Sequence, residues 1–308
     1  MPEHRGCAYR ARERDEPLLA TASTVSTWLL VEQPGPWGAE ALVESGLPSL
    51  VAEELRRRAR NAGVRPILIR RPEGRTGASR EAFLVTTRPD DRRVERVRFD
   101  DPDELLDLDL RRFRDTAEPV ADTHTDPLVL VCTNGRHDAC CAVEGRPVAT
   151  AAAAVLGDVV WECSHIGGDR FAANVLFLPE GVYYGRVLAS DVVELAQRFA
   201  AGRLSLPHYR GRAPHPFPVQ AAEGLARREL EVDALDGVTV VADRRLPEDR
   251  REVTLDVAGA AWRAVVAVDH RAAALLTCGA TRASRAPTYR LEELEPLAAP
   301  DALGSTTV

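Results

Sequence analysis

The chain of 308 residues is long enough for two or three domains. Its 45% hydrophobic and 28% charged residues are typical of a soluble globular protein and argue against a disordered or fibrous one. A net charge of −7 gives no electrostatic reason to expect nucleic-acid binding. No uninterrupted apolar stretch approaches 18 residues, so we expect no membrane span. The first 15 residues are rich in charged side chains and lack an apolar core, so we expect no secretory signal and a cytoplasmic protein.

The segment from 28 to 110 predicts one α/β unit. Apolar runs and alternating patterns are separated there by turn residues, which mark the ends of strands and helices. In chain order the predicted elements are a strand at 28–31, a helix at about 39–62, strands at 66–69, 83–87 and 94–99, and a short helix at 102–110 with Asp101 as its N-cap. The polar stretch 115–126 then predicts a linker.

The same order of elements returns after this linker. The predicted elements are a strand at 127–131, an Ala-rich helix at 139–156, strands at 159–161, 173–178 and 182–187, and a helix at 191–201. A repeat of about 100 residues with matching element order indicates two related α/β units in tandem. The first unit contains none of the cysteines that the second one carries.

The remainder of the chain predicts a small α+β region. A Pro-rich second linker covers 202–218 and contains His208 and His215, for which we expect structural roles. A helix at 219–232 and short strands at 238–242, 252–257, 262–268 and 273–278 follow. This region contains no recognisable motif of its own.

Six cysteines are present, and four of them fall between Cys132 and Cys163. In a cytosolic protein such a cluster favours metal or redox chemistry over a disulfide framework. Cys7 and Cys278 lie far away in the sequence, and we expect them to be free thiols. The sequence around the cluster is therefore the most informative part of the chain.

Two loops at one edge of the predicted sheet carry metal-binding side chains. Cys132 ends a strand, and Cys141 lies in the first turn of the next helix. His165 and Asp169 lie in the loop after the following strand, separated by Ile166 and two glycines. Because strands of an open α/β sheet present their carboxyl ends at one edge, these four side chains are expected to converge there.

Two thiolates with two other donors suit zinc or an iron–sulfur cluster. Two ligand residues, an intervening stretch of sequence and two further ligand residues form the pattern expected of a [2Fe-2S] cluster in which each pair of ligands binds one iron. In Rieske centres, the ligands of one iron are not cysteines. The eight residues between Cys132 and Cys141 exceed the spacing of zinc knuckles and favour the cluster. Cys163 and Cys140 are alternatives to Asp169 as the fourth ligand, although each is also a small apolar residue suited to burial.

The segment also resembles a known family. Cys132-x8-Cys141 followed by Trp-Glu-Cys-Ser-His-Ile-Gly-Gly-x-Arg-Phe-Ala from Trp161 is similar to the sucrase/ferredoxin-like family. The stretches Trp-Leu-Leu-Val-Glu-Gln-Pro-Gly-Pro-Trp-Gly from Trp28 and Leu-Pro-Glu-Gly-Val-Tyr-Tyr-Gly-Arg-Val from Leu178 add to the resemblance, which covers about 28–201.

The resemblance implies two tandem thioredoxin-like β-α-β-β-α units. They would be an N-terminal domain without ligands at 1–120 and a thioredoxin-like ferredoxin domain at 121–206, before a linker and small α+β domain at 207–308. It also implies a [2Fe-2S] cluster on Cys132, Cys141 and His165. Where the family has a second histidine this chain has Asp169, so the fourth ligand departs from the family pattern.

These features predict an electron carrier more than a catalyst. No Gly-x-Gly-x-x-Gly follows a strand, so we expect electrons from a separate reductase, and a homodimer is compatible with the family fold. The alternatives are a structural or regulatory zinc protein with the same ligands and a thiol–disulfide oxidoreductase. Around the site we expect an exposed His137, Arg136 and Arg170 near the ligands, Ser164 as a donor to sulfide, and Trp161 in the core.

Overall fold

The computed structural model describes residues 6–74 and 79–297. Its helices are α1 (Cys7–Glu13), α2 (Ser49–Ala62), α3 (Leu110–Asp115), α4 (Ala139–Leu156), α5 (Val192–Ala200) and α6 (Phe217–Glu229). Its strands are β1 (Thr27–Glu32), β2 (Arg65–Arg70), β3 (Arg80–Arg88), β4 (Asp91–Phe99), β5 (Asp122–His124), β6 (Leu128–Cys132), β7 (Val160–Cys163), β8 (Val175–Leu178), β9 (Val182–Tyr184), β10 (Tyr209–Arg212), β11 (Val238–Leu246), β12 (Arg250–Val257), β13 (Ala260–His270) and β14 (Pro287–Pro296). Short 3-10 turns lie between several of them.

Ten strands form one mixed sheet in the order β10-β9-β8-β6-β7-β2-β1-β3-β4-β5. Within it, two sets of four strands have the same pattern of pairing and strand direction. In the first, β1 runs parallel to β2 and antiparallel to β3, and β3 is antiparallel to β4. In the second, β6 has the same relation to β7 and β8, and β8 pairs antiparallel with β9. The mixed α/β class and the repeated order of strands therefore agree with the sequence analysis.

The two sets meet in the middle of the sheet, where β2 pairs antiparallel with β7. The register there places Cys163 opposite Ile69 and Glu162 opposite Arg70. A separate antiparallel sheet, β11-β12-β13-β14, packs against α6 through a core of small and β-branched side chains. The candidate ligands therefore lie close to the seam between the two halves of the large sheet.

The sequence patterns explain why these elements form. β6 and the central four residues of β1 are continuous apolar runs, and both strands are buried along their whole length, as expected for central strands with both faces covered. The predicted cap at Asp101 is confirmed, because its side chain accepts a hydrogen bond from the Asp103 amide and the Glu104 side chain completes a capping box. The helix predicted at 139–156 is confirmed as α4.

Four details of the predicted elements were wrong. The helix expected from residue 39 begins only at Ser49, with Pro48 at its N-cap, a position where a proline removes no helical hydrogen bond. Two expected linkers contain paired strands, since β5 pairs with β4 and β10 with β9. The strand expected at 273–278 is a loop, and the fourth strand of the small sheet is β14. Short apolar runs without periodicity are ambiguous, whereas β14 has charged residues on its exposed face.

One helical stretch, residues 139–159, is apolar and long enough to cross a membrane by length and composition alone. α4 makes up most of it and packs against β6, β7 and α5. Val148, Ala149 and Ala152 form its buried face. These contacts are those of a helix that covers one face of a sheet.

Candidate metal centre

Cys132 and Cys141 meet because α4 lies unusually close to the end of β6. Gly145 permits this approach, since a Cβ atom built there would lie 2.1 Å from the carbonyl oxygen of Cys132. Asp138 caps α4 by accepting a hydrogen bond of 2.9 Å from the Cys140 amide. Both cysteines are buried, with relative exposures of 1% for Cys132 and 0% for Cys141.

The loop that follows β7 brings the other two donors to the same place. Ser164 continues the pairing with β2, because its amide donates to the carbonyl of Leu68 at 2.8 Å and its hydroxyl accepts from the Leu68 amide at 3.0 Å. Arg65 then donates to the carbonyl of His165 at 2.8 Å. Ser164 therefore shapes the loop; neither contact uses its hydroxyl proton, so donation to a sulfide stays a prediction.

Gly168 and Arg210 set the turn between His165 and Asp169. Gly168 has a positive φ of 83°, which favours glycine, and a Cβ there would lie 2.3 Å from the Arg210 guanidinium. Arg210 is buried and donates to the carbonyl of Gly167 at 3.0 Å and to Asn174 Oδ1 at 2.7 Å. Asn174 in turn donates to the carbonyl of Gly168 at 2.8 Å.

Arg210 is the site residue that sequence reasoning missed. It lies on β10, in the stretch interpreted as a linker, and only the pairing of β10 with β9 places it beneath the loop. Burial lowers the pKa of Arg210 to about 10, so its positive charge is retained at neutral pH. A buried cation next to anionic side chains offsets their repulsion.

The four predicted ligands come together in space. The donor atoms of Cys132, Cys141 and His165 all lie within 4.8 Å of one another. The Asp169 carboxylate lies 2.9 Å from His165 Nδ1 and 3.4 Å from Cys141 Sγ. Asp169 is buried, with 5% relative exposure, and these two partners offset the cost of burying its carboxylate.

The protonation of these groups reflects their crowding. Hydrogen bonds from the Cys141 and Cys163 thiols lower the pKa of Cys132 well below its usual range. The hydrogen bond to Cys132, together with burial, raises the pKa of Cys141. Burial lowers the pKa of His165, but its interactions with Asp169 and Cys132 outweigh this and raise it to about 9. The site therefore holds the Cys132 thiolate beside a protonated imidazole and the Cys141 thiol, and a metal cation would replace protons there.

His165 Nδ1 has a further property that fits a metal ligand. Despite its 2.9 Å distance to Asp169, this buried nitrogen has no partner with hydrogen-bond geometry. Buried polar atoms are normally hydrogen-bonded, so a nitrogen whose close contact is an ion pair with a carboxylate, beside two sulfurs, fits a metal ligand. Two soft thiolates, an imidazole and a carboxylate form a donor set suited to zinc or iron.

The two alternatives for the fourth ligand occupy different positions. Cys163 is the register partner of Cys132 across β6 and β7 in the buried core, and its thiol helps to lower the pKa of Cys132. Cys140 contacts Cys7 and Cys278 instead, so its sulfur belongs to another group of side chains. Asp169 lies against both a sulfur and the imidazole, which makes it the better placed of the three.

His137 is closer to the site than the sequence suggested. It is exposed as expected, but its ring stacks on that of His165, and it forms a second possible metal-binding group with His165 and Asp169. Its Nδ1 lies 3.3 Å from the carbonyl of Ala39. A pocket of about 240 Å³ next to both imidazoles is lined by residues of the two halves of the sheet, including Arg56 and Arg65.

The remaining expectations around the site have mixed outcomes. Trp161 is fully buried, as predicted. Arg170 forms an ion pair with Glu16 at 2.5 Å and so has a structural partner. Arg136 is exposed in the loop between the two cysteines. Cys7 and Cys278 are free thiols, as expected, and both adjoin Cys140 and Asp138.

A family model described as sucrase/ferredoxin-like matches residues 18–211, more than half of the chain. The chain belongs to the sucrase/ferredoxin-like family. The match extends into β10, so it includes Arg210 as well as the four predicted ligands.

One curated relative is "Altered inheritance of mitochondria protein 32" from Meyerozyma guilliermondii, 36% identical over 78 residues. The aligned region is 22% of this chain and 28% of the relative, so the chain spans less than a third of that protein's length. No solved structure matches the chain. The family match, over residues 18–211, covers the whole candidate metal centre.

Proposed function

We propose that this sucrase/ferredoxin-like chain is a one-electron carrier that holds a [2Fe-2S] cluster with Cys132, Cys141, His165 and Asp169. The observation that carries the proposal is the convergence of two sulfurs, an imidazole and a buried carboxylate from two separate loops. Such a cluster, when bound, accepts and releases one electron with little change in structure.

The proposed ligands and Arg210 have different roles in the site. Cys132 and Cys141 supply thiolates from the rigid ends of β6 and α4, while His165 and Asp169 supply the imidazole and carboxylate from the glycine-containing loop. Arg210 fixes that loop and adds a buried positive charge. His165 lies on the wall of a pocket, which gives a partner protein access to the imidazole side of the site.

The wider account rests on the same proposal. Each set of four strands is interpreted as a thioredoxin-like unit, with domains at 1–120, 121–206 and 207–308; residues 1–5, 75–78 and 298–308 lie outside the described residues. The second unit binds the cluster and the first does not. Electrons come from a separate reductase in the cytoplasm and pass to an acceptor protein, and a homodimer is compatible with this role.

A zinc protein is the second candidate, and one observation favours it. The ligand atoms of Cys132, Cys141 and His165 lie within 4.8 Å of one another, which is compact enough for a single ion. Zinc bound at about 2.3 Å to sulfur and about 2.0 Å to nitrogen would need only small movements of these side chains. Colour separates the two, because a zinc protein is colourless.

A thiol–disulfide oxidoreductase is a third interpretation. All six cysteines are free, and the thiols of Cys132 and Cys141 are close enough to interact. Oxidation of this pair would need a dithiol–disulfide exchange partner. Mass spectrometry after alkylation detects a reversible disulfide, which the electron-carrier proposal does not require.

The proposal is tested by anaerobic reconstitution of the full chain with iron and sulfide. Visible and EPR spectra of the wild type are compared with those of Asp169→Ala, His137→Ala and Cys163→Ser. We expect Asp169→Ala alone to lose or strongly alter the signal of the reduced protein. An unchanged spectrum for Asp169→Ala together with a lost signal for His137→Ala would transfer the fourth ligand to His137.

A further inference from the structure

A second group of sulfurs lies beside the start of α4, around Cys140 rather than Cys141. Cys7 at the start of α1 and Cys278 in the loop between β13 and β14 meet Cys140 there, next to Asp138. One donor atom from each of these four residues lies within 4.8 Å of the others. The group thus joins three segments separated by more than 130 residues.

The distances within this group are short. Cys140 Sγ and Cys278 Sγ are 3.6 Å apart, and Cys7 Sγ lies 3.5 Å from each oxygen of the Asp138 carboxylate. A tetrahedral ion with sulfur ligands at about 2.3 Å holds those sulfurs at about this separation. The spacing therefore already approaches that of a bound site.

Backbone amides surround the sulfurs and the carboxylate. Two of them donate to sulfur, from Cys7 to Cys278 Sγ at 3.2 Å and from Ala8 to Cys140 Sγ at 3.5 Å. Asp138 accepts from the amide of Cys140 at 2.9 Å and from that of Cys278 at 2.8 Å. The Cys7 thiol also donates to this carboxylate, and loss of the Cys7 proton on metal binding frees a lone pair of Asp138 for a cation.

Burial separates this group from ordinary surface thiols. Cys7 is 0% and Cys140 1% exposed, Asp138 is 3% exposed, and Cys278 is partly accessible. Apolar packing alone does not account for the position of Cys278. Its apolar neighbours are all small: Cys7, Ala8, Cys140 and Ala172. A buried carboxylate beside three thiols instead suits a soft divalent cation.

We propose that Cys7, Cys140 and Cys278, together with Asp138, form a second metal site that binds one Zn²⁺ ion. The three cysteines lose their protons on binding, and the released protons pass to solvent. The ion ties α1 and the loop before β14 to the start of α4. The next residue along α4 is Cys141, a ligand of the candidate metal centre described above. The same ion therefore also stabilises the helix turn that positions this ligand.

The test uses the full chain with the substitutions Cys132→Ser and Cys141→Ser, which remove both thiolate ligands of the candidate metal centre. We expect about one equivalent of bound Zn²⁺ and, with Co²⁺ as probe, the sulfur-to-cobalt absorption of a tetrahedral thiolate site. Adding Cys278→Ser removes that absorption. Adding Asp138→Asn lowers the zinc affinity by about 10–100-fold.

Glu194→Gln in the same background is the matched control, because it removes an exposed carboxylate on α5 outside both groups and leaves zinc binding intact. X-ray absorption of the zinc-loaded background protein needs no substitution within the group and is expected to show sulfur neighbours at about 2.3 Å. Equal zinc affinity with and without Cys278→Ser would overturn the proposal. So would a Cys140–Cys278 disulfide in freshly purified, metal-free protein.

Discussion

The imidazole of His137 stacks on that of His165, with ring centroids 3.7 Å apart and an interplanar angle of 23°. His137 belongs to the loop between the two cysteines, whereas His165 belongs to the loop after β7, so the stack joins the two halves of the candidate metal centre. Asn134 holds the first loop by accepting from the amides of Arg136 and His137 at 3.1 and 3.4 Å. We therefore interpret His137 as a residue that shields one face of the His165 imidazole rather than as a metal ligand.

Replacement of Asp169 by His is expected to raise the midpoint potential of the reconstituted protein. A carboxylate ligand adds negative charge and favours the oxidised state, whereas a neutral imidazole does not. A redox titration followed by EPR measures the change. Glu194→Gln, which removes an exposed carboxylate on α5, is the control and is expected to leave the potential unchanged. A midpoint equal to or lower than that of the wild type would count against Asp169 as a ligand.

Replacement of Arg210 by Met is expected to lower the midpoint potential and to destabilise the fold. The variant loses a buried positive charge and leaves acceptors such as the Gly167 carbonyl and Asn174 Oδ1 without their donor. Each unpaired buried acceptor costs about 1–3 kcal/mol. Denaturant unfolding and a redox titration measure the two effects, and Arg210→Lys, which keeps the charge, separates them. A potential in Arg210→Met that matches the wild type would leave Arg210 with a structural role only.

Replacement of Gly145 by Ala is expected to separate α4 from β6. The new methyl group would meet the Cys132 carbonyl at 2.1 Å, and such overpacking costs about 1–3 kcal/mol. The separation also moves Cys141 away from Cys132, so less iron is incorporated on reconstitution. Val143→Ala, at an exposed position of the same helix, is the control. Full iron content and unchanged stability in Gly145→Ala would show that the close approach is not needed.

The pH dependence of stability is expected to include a contribution from His215. Burial lowers the pKa of His215, with Arg212 and Arg92 lowering it and Glu223 and Asp243 raising it. The unfolded chain, with a histidine pKa of about 6.5, then binds more protons than the folded one as the pH falls. Stability is therefore lost as the pH drops below about 6.5. Urea unfolding between pH 7.5 and 5 measures this, and the loss is expected to be smaller in His215→Gln; an equal loss in both proteins would exclude His215 as its source.

Much of the fold followed from local patterns in the sequence. Long apolar runs such as β1 and β6, and the Ala-rich α4, form the elements that their residues favour. The short strands β5 and β10 could not be predicted, because their hydrogen bonds come from partners far along the chain and their own residues are polar. Pairing of this kind is a property of the assembled sheet.

The candidate site was predictable to a similar extent. The spacing of Cys132, Cys141 and His165 placed them at one sheet edge, since each follows or begins an element whose direction the pattern indicates. Arg210 and the group around Cys7 could not be found in this way, because tertiary packing alone brings those segments together. A tetrad drawn from distant segments has no spacing for a sequence pattern to detect.

The most direct test of the account is the iron and acid-labile sulfide content of the full chain after anaerobic reconstitution, measured beside the Cys132→Ser/Cys141→Ser variant. The account predicts two irons and two sulfides per wild-type chain, a red-brown colour and an EPR signal on reduction, all absent from the variant. Wild-type protein that stays colourless and binds zinc instead, or equal iron in both proteins, would contradict it.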